Sequence, residues 1–372
     1  MRRDEQEASR SDQGDVVVKG RYFRRDDDGR TVCEMCPRAC GLREGQRGVC
    51  FVRACRDGQI VLTSYGRSTG FCIDPIEKKP LFHFLPGTPV LSFGTAGCNL
   101  TCKFCQNWET SRARDVERMS DAATPEAIAA AAVRWSCRSV AMTYNDPVVF
   151  FEYAVDVADA CHKRDVRTVA VTAGYMMPAP REEFYRHFDA ANVDLKAFSR
   201  HFYREQCGGD LHSVLDTLSY LRAKTGVWLE ITTLLIPGEN DSDAELDEMT
   251  RWLVGHLGAD VPLHFSAFHP DFRLLDHPPT PLATLRRARA IALGNGMRYV
   301  YVGNVRDDEG ASTFCSACGE RLIGRDGYQV TAWSLTEEGA CKACGTACAG
   351  RFEGKPGAWG NRRVPIEIGE PM

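Results

Sequence analysis

The sequence lacks the features that mark a membrane protein or a nucleic-acid-binding protein. No apolar run reaches the roughly 18–20 residues that are needed to span a bilayer. The net charge is −4, so no excess of positive charge attracts nucleic acid or an anionic membrane. Residues 1–15 are charged and contain no apolar core of a secretory signal. We therefore expect a cytoplasmic protein that binds neither nucleic acid nor a membrane.

Cysteine is the residue that the sequence has in excess, with 17 in 372 residues. The cysteines are not spread in the manner of a secreted disulfide framework. Most of them fall into tight groups that contain C-x2-C spacings, which in a reducing compartment indicates metal binding. The groups occupy residues 33–55, 98–105 and 315–348.

The central group has the spacing C-x3-C-x2-C and consists of Cys98, Cys102 and Cys105. Thiolate sulfur suits iron–sulfur clusters and zinc. A 4Fe–4S cluster normally takes four cysteines, so three cysteines with no fourth nearby would leave one iron open. An open iron can bind a substrate or cofactor, as the open position of a catalytic zinc does. The alternative interpretations are a zinc loop and a cluster of buried thiols.

The first cysteine group, with the spacing C-x2-C-x3-C-x9-C, consists of Cys33, Cys36, Cys40 and Cys50. Nearby glycines allow the sharp turns that bring sulfurs together. Four thiolates fit either a structural tetrahedral zinc or an accessory iron–sulfur cluster, and the spacing does not separate the two. Zinc is the preferred interpretation, because this stretch has too few apolar residues to fold unaided. Cys55 is a spare ligand.

The last cysteine group consists of two C-x2-C pairs, Cys315 with Cys318 and Cys341 with Cys344. Each pair is followed by glycine, and the interval between the pairs is slightly longer than in most zinc ribbons. The pattern predicts a zinc-ribbon-like module. Cys348 is an extra cysteine.

From residue 89 onward, short apolar runs alternate with helix-like segments. About six β/α units and one further strand follow one another, which predicts a parallel sheet with right-handed crossovers. Thr124 is a predicted helix N-cap, and Ser242 with Glu245 is a predicted capping box. Six units are fewer than the eight of a closed barrel. The predicted fold class is therefore α/β, a partial (β/α)6 TIM-like barrel with small cysteine-rich metal-binding modules at both ends.

The predicted domain organisation has five parts. In chain order they are a disordered N-terminal segment (1–30), a cysteine-rich module and connection (31–88), the partial barrel (89–305), the zinc-ribbon-like module (306–352) and a loose tail (353–372).

The candidate site residues follow the predicted strands. Active residues of parallel barrels collect at the carboxyl ends of the strands. Reading these ends in turn, we expect a group of side chains to surround the three central cysteines. The group comprises Tyr144, Asn145, Asp146, Thr172, Gly174, Asp194, Lys196, Glu230, His264 and His269.

Residues 97–108, with an aromatic residue before the third cysteine, resemble the cluster loop of the radical S-adenosylmethionine (SAM) enzymes. Other stretches resemble the AmmeMemoRadiSam-system radical SAM enzymes, which are similar in turn to pyruvate formate-lyase activating enzymes. These stretches are residues 74–84, 194–196, 235–241, 264–270 and 299–304. The resemblance covers approximately residues 31–322.

The resemblance implies one 4Fe–4S cluster that binds SAM and, when reduced, cleaves it to methionine and a 5′-deoxyadenosyl radical. That radical abstracts hydrogen from a peptide, a protein or a small molecule. The resemblance also implies an electron donor of the flavodoxin or ferredoxin type. It further implies a genomic association with Memo-like and AMMECR-like proteins, which are candidate partners.

The resemblance suggests roles for several strand-end residues. The side chain of Asp146, or the carbonyls of Tyr144 and Asn145, would accept hydrogen bonds from the SAM amino group, although Asp146 also fits an Asx-Pro turn. Lys196 would pair with the SAM carboxylate and Asp194 with its ammonium or a cation, unless the two form a structural ion pair.

The remaining contacts are predicted in the same way. Thr172 and Glu230 would bind the ribose, with Thr172 alternatively on the methionine part, and Gly174 would allow close approach of the backbone. His264 and His269 would contact substrate or adenine, with a packed histidine as the alternative for each.

Three positions depart from the family pattern. Asp146 stands where such enzymes carry Glu, Ala173 where they carry Asn, and Val171 where activating enzymes often carry Asp. Of the remaining cysteines, Cys207 is a candidate hydrogen-atom donor or radical relay in a loop. His83, between two aromatic residues, is interpreted as a packed histidine.

Two other functions compete with hydrogen abstraction from an unknown substrate. One is an activase that makes a glycyl radical on a partner enzyme. The other is a non-catalytic electron-transfer or zinc-scaffold protein. The last of these predicts that the reduced protein forms no 5′-deoxyadenosine from SAM.

Overall fold

The computed structural model describes residues 9–10, 16–112 and 121–368. Its N-terminal part consists of short strands: β1 (Ser9–Arg10), β2 (Val16–Lys19), β3 (Phe23–Arg25), β4 (Thr31–Cys33), β5 (Gly41–Leu42), β6 (Arg53–Arg56), β7 (Gln59–Leu62) and β8 (Arg67–Ser68). They form one sheet of order β1-β2-β7-β6 and another of order β3-β4-β5. Val52, Ile60 and Leu62 are fully buried here, in an apolar core that is continuous with the core of the central sheet.

The expectation that residues 1–30 are disordered is wrong from residue 16 onward. Strand β2 pairs antiparallel with β7, and Val17 and Val18 are buried in that contact. Charged residues surround these valines in the sequence, so the composition of the segment did not indicate a strand. Residues 1–8 and 11–15 of the predicted disordered segment lie outside the described residues.

The remaining strands include the central sheet. They are β9 (Phe71–Pro75), β10 (Pro89–Phe93), β11 (Asp121–Ala122), β12 (Ser139–Met142), β13 (Arg167–Thr172), β14 (Ala190–Asp194), β15 (Trp228–Leu235), β16 (Leu263–Ala267), β17 (Val300–Gly303), β18 (Thr313–Phe314), β19 (Arg321–Asp326), β20 (Gln329–Trp333) and β21 (Val364–Ile366). Nine of them form one sheet of order β17-β16-β15-β14-β13-β12-β10-β9-β21. Strand β11 pairs with β8 in a separate ribbon.

Seven neighbouring strands of the central sheet, from β10 to β17, run parallel. Strands β9 and β21 extend the β10 edge in antiparallel pairing. The α/β fold with a mostly parallel sheet, six crossovers and a last strand is thus confirmed. Within the described residues no strand pairing joins β17 to the other edge, so curvature into a partial barrel stays a prediction.

Helices connect the parallel strands. They are α1 (Trp108–Ser111), α2 (Pro125–Arg134), α3 (Phe151–His162), α4 (Pro178–Phe184), α5 (Arg200–Phe202), α6 (Leu211–Lys224), α7 (Asp243–Leu257), α8 (Leu282–Gly294) and α9 (Asp308–Ala311), with short 3₁₀ turns at Ile76–Lys78, Pro147–Phe150 and Tyr185–His187 and a π-helical turn at Tyr203–Cys207. Every residue of β12 and β16 is buried, as expected for parallel strands covered on both faces. None of the helices in the described part of the chain has the length and apolar character that a bilayer crossing requires.

The C-terminal cysteine-rich part is the antiparallel sheet β18-β19-β20. The predicted loose tail is wrong for Val364–Ile366, because this segment pairs with β9 and forms the edge of the central sheet. Residues 369–372 lie outside the described residues. The predicted domain boundaries remain a prediction.

Candidate functional site

A cavity of about 310 Å³ lies at the carboxyl ends of the parallel strands. All seven strands, or the loops that directly follow them, contribute to its lining. Cys98, Cys102 and Cys105 lie together on one side of it. Part of the site that we predicted at this end of the sheet therefore lines a single cavity.

The loop that carries these cysteines is fixed to the next strand end by Asn145. The Asn145 Nδ2 donates a hydrogen bond to the Gly97 carbonyl (2.7 Å), and its Oδ1 accepts one from the Thr95 amide (3.0 Å). Gly97 has φ +85°, and a Cβ there would lie 2.0 Å from the Cys50 carbonyl oxygen. Only glycine fits this position, so the loop packs directly on the N-terminal cysteine-rich part.

The other side of the cluster loop pairs with the π-helical turn at Tyr203–Cys207. The Thr101 amide donates to the Cys207 carbonyl (2.7 Å), and the Lys103 amide donates to the Gln206 carbonyl (2.9 Å). The Cys207 thiol donates a hydrogen bond to Cys102, and this bond lowers the pKa of Cys102. Cys207 therefore lies in a π-turn, not in the loop we expected, and it borders one of the predicted cluster ligands.

Asp146 joins two strand ends. Its Oδ1 accepts hydrogen bonds from the Val148 amide (3.1 Å) and the Thr172 hydroxyl (3.0 Å), and its Oδ2 accepts one from the Ala173 amide (3.0 Å). The side chain is buried, and this burial raises the pKa of Asp146 despite those bonds. The Asx-Pro turn is thus present, and both carboxylate oxygens are already engaged by the protein.

Asp194 and Lys196 form an ion pair in the same cavity, with 2.5 Å between Oδ2 and Nζ. Burial by itself would lower the pKa of Lys196, but the carboxylate of Asp194 and the thiolate form of Cys102 raise it, and the net shift is upward. Lys196 is therefore a permanent positive charge close to the three thiols. A cation in this place can hold a carboxylate ligand.

Tyr144 connects the cavity with the segment before β10. Its hydroxyl donates to Asp74 Oδ2 (3.3 Å), and Asp74 also accepts from Lys79 (2.7 Å) and Lys78 (3.2 Å). Burial raises the pKa of Asp74, but the two lysines outweigh it and lower the pKa to about 2. Pro80 lines the cavity, so this buried cluster of charges positions one wall of the site.

Two predicted site residues, Glu230 and His264, do not line the cavity. Glu230 accepts hydrogen bonds from the His83 amide (2.8 Å) and from His264 Nε2 (2.7 Å), in a buried network. Their placement at the cavity was wrong because both lie near the amino ends of β15 and β16. Two residues of a strand rise about 7 Å. The prediction therefore chose the correct face of each strand but a position too far from its carboxyl end.

Gly174 and His269 also lie outside the cavity lining. Gly174 has φ +66°, and a Cβ there would meet Val193 (3.1 Å) and Thr217 (3.4 Å), so this glycine serves packing behind the strand end. The exposed ring of His269 is 3.0 Å from Nε2 of Gln106, which does line the cavity. His269 therefore lies at the rim.

Among the cavity residues that the sequence analysis missed are Thr232, Ser266 and Asn304. The buried hydroxyl of Thr232 has no hydrogen-bond partner, which is costly unless a ligand supplies one. Thr232 and Ser266 stand two residues after Glu230 and His264, on the same strand faces. Strand alternation was thus a signal that could have found them.

The C-terminal quartet is compact. The Sγ atoms of Cys315, Cys318, Cys341 and Cys344 all lie within 4.8 Å of one another. Cys315 and Cys344 are 3.5 Å apart, and Cys318 and Cys341 are 3.7 Å apart. Tetrahedral zinc with Zn–S bonds of about 2.3 Å separates its sulfurs by about 3.8 Å. This quartet has the geometry of a single-ion site.

Comparison with known proteins supports the interpretation of the central site. A family model described as the radical SAM superfamily matches residues 93–250. An uncharacterized protein of Methanocaldococcus jannaschii is 39% identical over 325 residues, which cover 87% of this chain and 96% of that protein.

Two more distant similarities are also found. The benzylsuccinate synthase activating enzyme of Thauera aromatica is 27% identical over 208 residues, which cover 55% of this chain and 62% of the relative. A crystal structure of a radical SAM methyltransferase from Sphaerobacter thermophilus is 17% identical, with a TM-score of 0.49. That alignment covers 84% of this chain and 79% of the other.

Proposed function

Because this chain belongs to the radical SAM superfamily, we propose that Cys98, Cys102 and Cys105 hold a 4Fe–4S cluster that binds SAM. The cluster, when bound and reduced, supplies the electron that cleaves SAM to methionine and a 5′-deoxyadenosyl radical able to abstract hydrogen from a substrate. The residues present fit this group, since three thiols and the unpartnered hydroxyl of Thr232 share one cavity. That juxtaposition is the observation that carries the proposal.

Different cavity residues contact different parts of SAM. Lys196 pairs with its carboxylate, and Thr232 and Asn304 supply hydrogen-bonding groups on the opposite strands. Asp146 and Thr172 are positioning residues, because their polar atoms already bond one another and the strand ends. The carbonyls of Tyr144 and Asn145 remain available to accept hydrogen bonds from the SAM ammonium group.

The proposal is tested by product formation. Protein that is reconstituted anaerobically with iron and sulfide is mixed with SAM and dithionite, and 5′-deoxyadenosine is measured by mass spectrometry. We expect the product from the wild type and none above background from the variant Cys98→Ala/Cys102→Ala/Cys105→Ala. Equal product from both proteins would remove the basis of the assignment.

A second candidate, activation of a protein partner, is favoured by the similarity to activating enzymes. In this case the substrate is a protein, and a flavodoxin- or ferredoxin-type protein donates the electrons. Abstraction of a hydrogen atom from a glycine of the partner leaves a glycyl radical there. Memo-like or AMMECR-like proteins are further candidate partners. Electron paramagnetic resonance (EPR) of the reduced enzyme mixed with SAM and a candidate glycyl-radical enzyme tests the idea, and a lasting protein radical is expected.

The compact C-terminal quartet is proposed to hold structural zinc. Its sulfur spacing suits one tetrahedral ion. Metal analysis of the variant Cys318→Ser/Cys344→Ser is expected to show the loss of about one zinc per chain, while the iron content stays at the wild-type level.

A further inference from the structure

The four N-terminal cysteines surround a second cavity, separate from the one that is proposed to bind SAM. Cys33, Cys36, Cys40 and Cys50 all line it. The two cavities have no lining residue in common. None of these four cysteines forms a disulfide, so their thiols are available as ligands.

The spacing of these sulfurs differs from that of the C-terminal quartet. Within the part of the chain that the structure describes, only the C-terminal quartet brings three or more ligand atoms within 4.8 Å of one another. The N-terminal quartet does not, and neither does the trio of Cys98, Cys102 and Cys105. In this respect the N-terminal quartet differs from the compact quartet that suits one ion, as the trio that is proposed to hold a cluster also does.

The chemistry of the cavity wall agrees with an occupant that accepts hydrogen bonds. Arg53 lines the cavity and is almost fully buried. Its Nη2 pairs with Glu152 (2.6 Å) and its Nε donates to the Val149 carbonyl (3.2 Å), but its Nη1 has no hydrogen-bond partner. A buried guanidinium N–H without a partner is costly, and the sulfur atoms of a cluster would supply an acceptor.

The cavity also borders the loop of the central cysteines. Asn99, the residue after Cys98, lines it, and Arg38 in its wall donates hydrogen bonds to the carbonyls of Asn99 and Gly208. On the other side, the Cys50 carbonyl touches Gly97. A group bound to the four N-terminal cysteines would therefore lie against the loop of the central site.

We propose that Cys33, Cys36, Cys40 and Cys50 hold a second 4Fe–4S cluster in place of the zinc that was the preferred interpretation of the sequence. Four thiolates ligate every iron of a cubane, so this cluster has no open iron and does not bind SAM. It can exchange electrons only. This site goes beyond the proposed function, which requires the central cluster alone.

The decisive measurement uses the variant Cys98→Ala/Cys102→Ala/Cys105→Ala, which removes the central cluster and leaves the N-terminal cysteines intact. After anaerobic reconstitution we expect this variant to keep about four irons and about four sulfides per chain. The reduced variant should give the EPR signal of a 4Fe–4S cluster, and added SAM should leave that signal unchanged.

The reciprocal variant, Cys36→Ala/Cys40→Ala, should lose the SAM-insensitive signal and keep the SAM-sensitive one. The metal content of the wild type tests the proposal without requiring that any variant fold. It should contain about eight irons and about one zinc per chain. About four irons with about two zincs in the wild type, or no iron in the triple variant, would overturn the proposal. Neither result depends on whether SAM is cleaved, so failure here is distinct from failure of the proposed function.

Discussion

At the scale of single residues, the most informative group is the hydroxyl of Thr232, which is buried at the cavity without a partner. The hydroxyl of Thr172, by contrast, already donates a hydrogen bond to Asp146. Two threonines that line the same cavity thus have different roles, and only the unsatisfied one is expected to respond strongly to a ligand.

We predict that Thr232→Val weakens SAM binding to reconstituted protein by about fivefold, because one hydrogen bond of about 1 kcal/mol is lost. Thr232→Ser keeps the hydroxyl and should bind nearly as the wild type does. Equilibrium binding under anaerobic conditions measures both variants. If Val and Ser behave alike, the hydroxyl does not contact SAM.

Lys196 is predicted to contribute more, since it is a charge held close to the thiols by Asp194. Lys196→Met should weaken SAM binding by roughly 10- to 100-fold, the loss expected for a hydrogen bond between charged groups. Lys196→Arg retains the cation and should lose less. An unchanged affinity in the Met variant would mean that the ion pair is structural.

His83 makes stability depend on pH. Its ring contacts the Tyr301 hydroxyl and the Ala349 carbonyl (2.6 Å), and burial lowers its pKa to about 4. Because the unfolded chain takes up this proton near pH 6.5, the stabilising contribution is present above that pH and is lost as the pH falls towards 4.

The wild type should therefore lose about 2 kcal/mol more than His83→Gln between pH 7.5 and pH 5. Urea unfolding, followed by fluorescence at both pH values, gives the difference. Parallel pH profiles for the two proteins would show that His83 is not the group responsible.

At the scale of elements, the cluster loop depends on the strand end beside it. Asn145 donates to the Gly97 carbonyl and accepts from the Thr95 amide. The sequence analysis treated Asn145 as a contact of the cofactor through its backbone. The structure adds that its side chain holds the loop in shape, which only the fold could reveal.

Asn145→Asp should lower the iron retained after reconstitution, because a carboxylate cannot donate to the Gly97 carbonyl and repels it. Ser242→Ala is the matched control. It removes an N-cap from α7 and should cost about 1 kcal/mol of stability without loss of iron. Equal iron content in both variants would count against the anchoring role.

Helix boundaries show how far local sequence signals reach. Thr124 and Ser242 cap their helices as predicted, since each side chain accepts from the amide three residues on. The capping box itself is only half formed, because the carboxylate of Glu245 accepts from the distant Phe198 amide (2.7 Å). The Phe198 amide, which is distant in sequence, has thus replaced the Ser242 amide that a capping box would provide.

At the scale of the whole molecule, the C-terminal module is joined to the central sheet by buried polar groups. Arg325 donates to the Phe82 carbonyl (2.6 Å) and lies 4.3 Å from the centroid of the Phe82 ring. The adjacent His83 amide donates to Glu230 of the central sheet (2.8 Å). Glu230 is therefore part of the junction between the module and the sheet.

This junction predicts that loss of the C-terminal metal destabilises more than the module. Cys318→Ser/Cys344→Ser should lower the melting temperature, and amide exchange at Phe82 and His83 should rise. Arg325→Met, which breaks the junction and keeps the metal ligands, should raise the same exchange without loss of zinc. Exchange that stays unchanged in the double variant would show that the junction is independent of the metal.

The sequence by itself determined the parallel α/β order, the helix caps and the three cysteine groups, because these depend on spacing along the chain. It also placed Asp146, Asp194 and Lys196 at strand ends. Only the tertiary structure decided which side chains meet. It moved Glu230 and His264 out of the cavity, put Thr232 into it, and distinguished a compact thiol quartet from one that is less compact. The reason is physical: spacing sets which face a residue occupies, but packing between distant segments sets its depth and its partners.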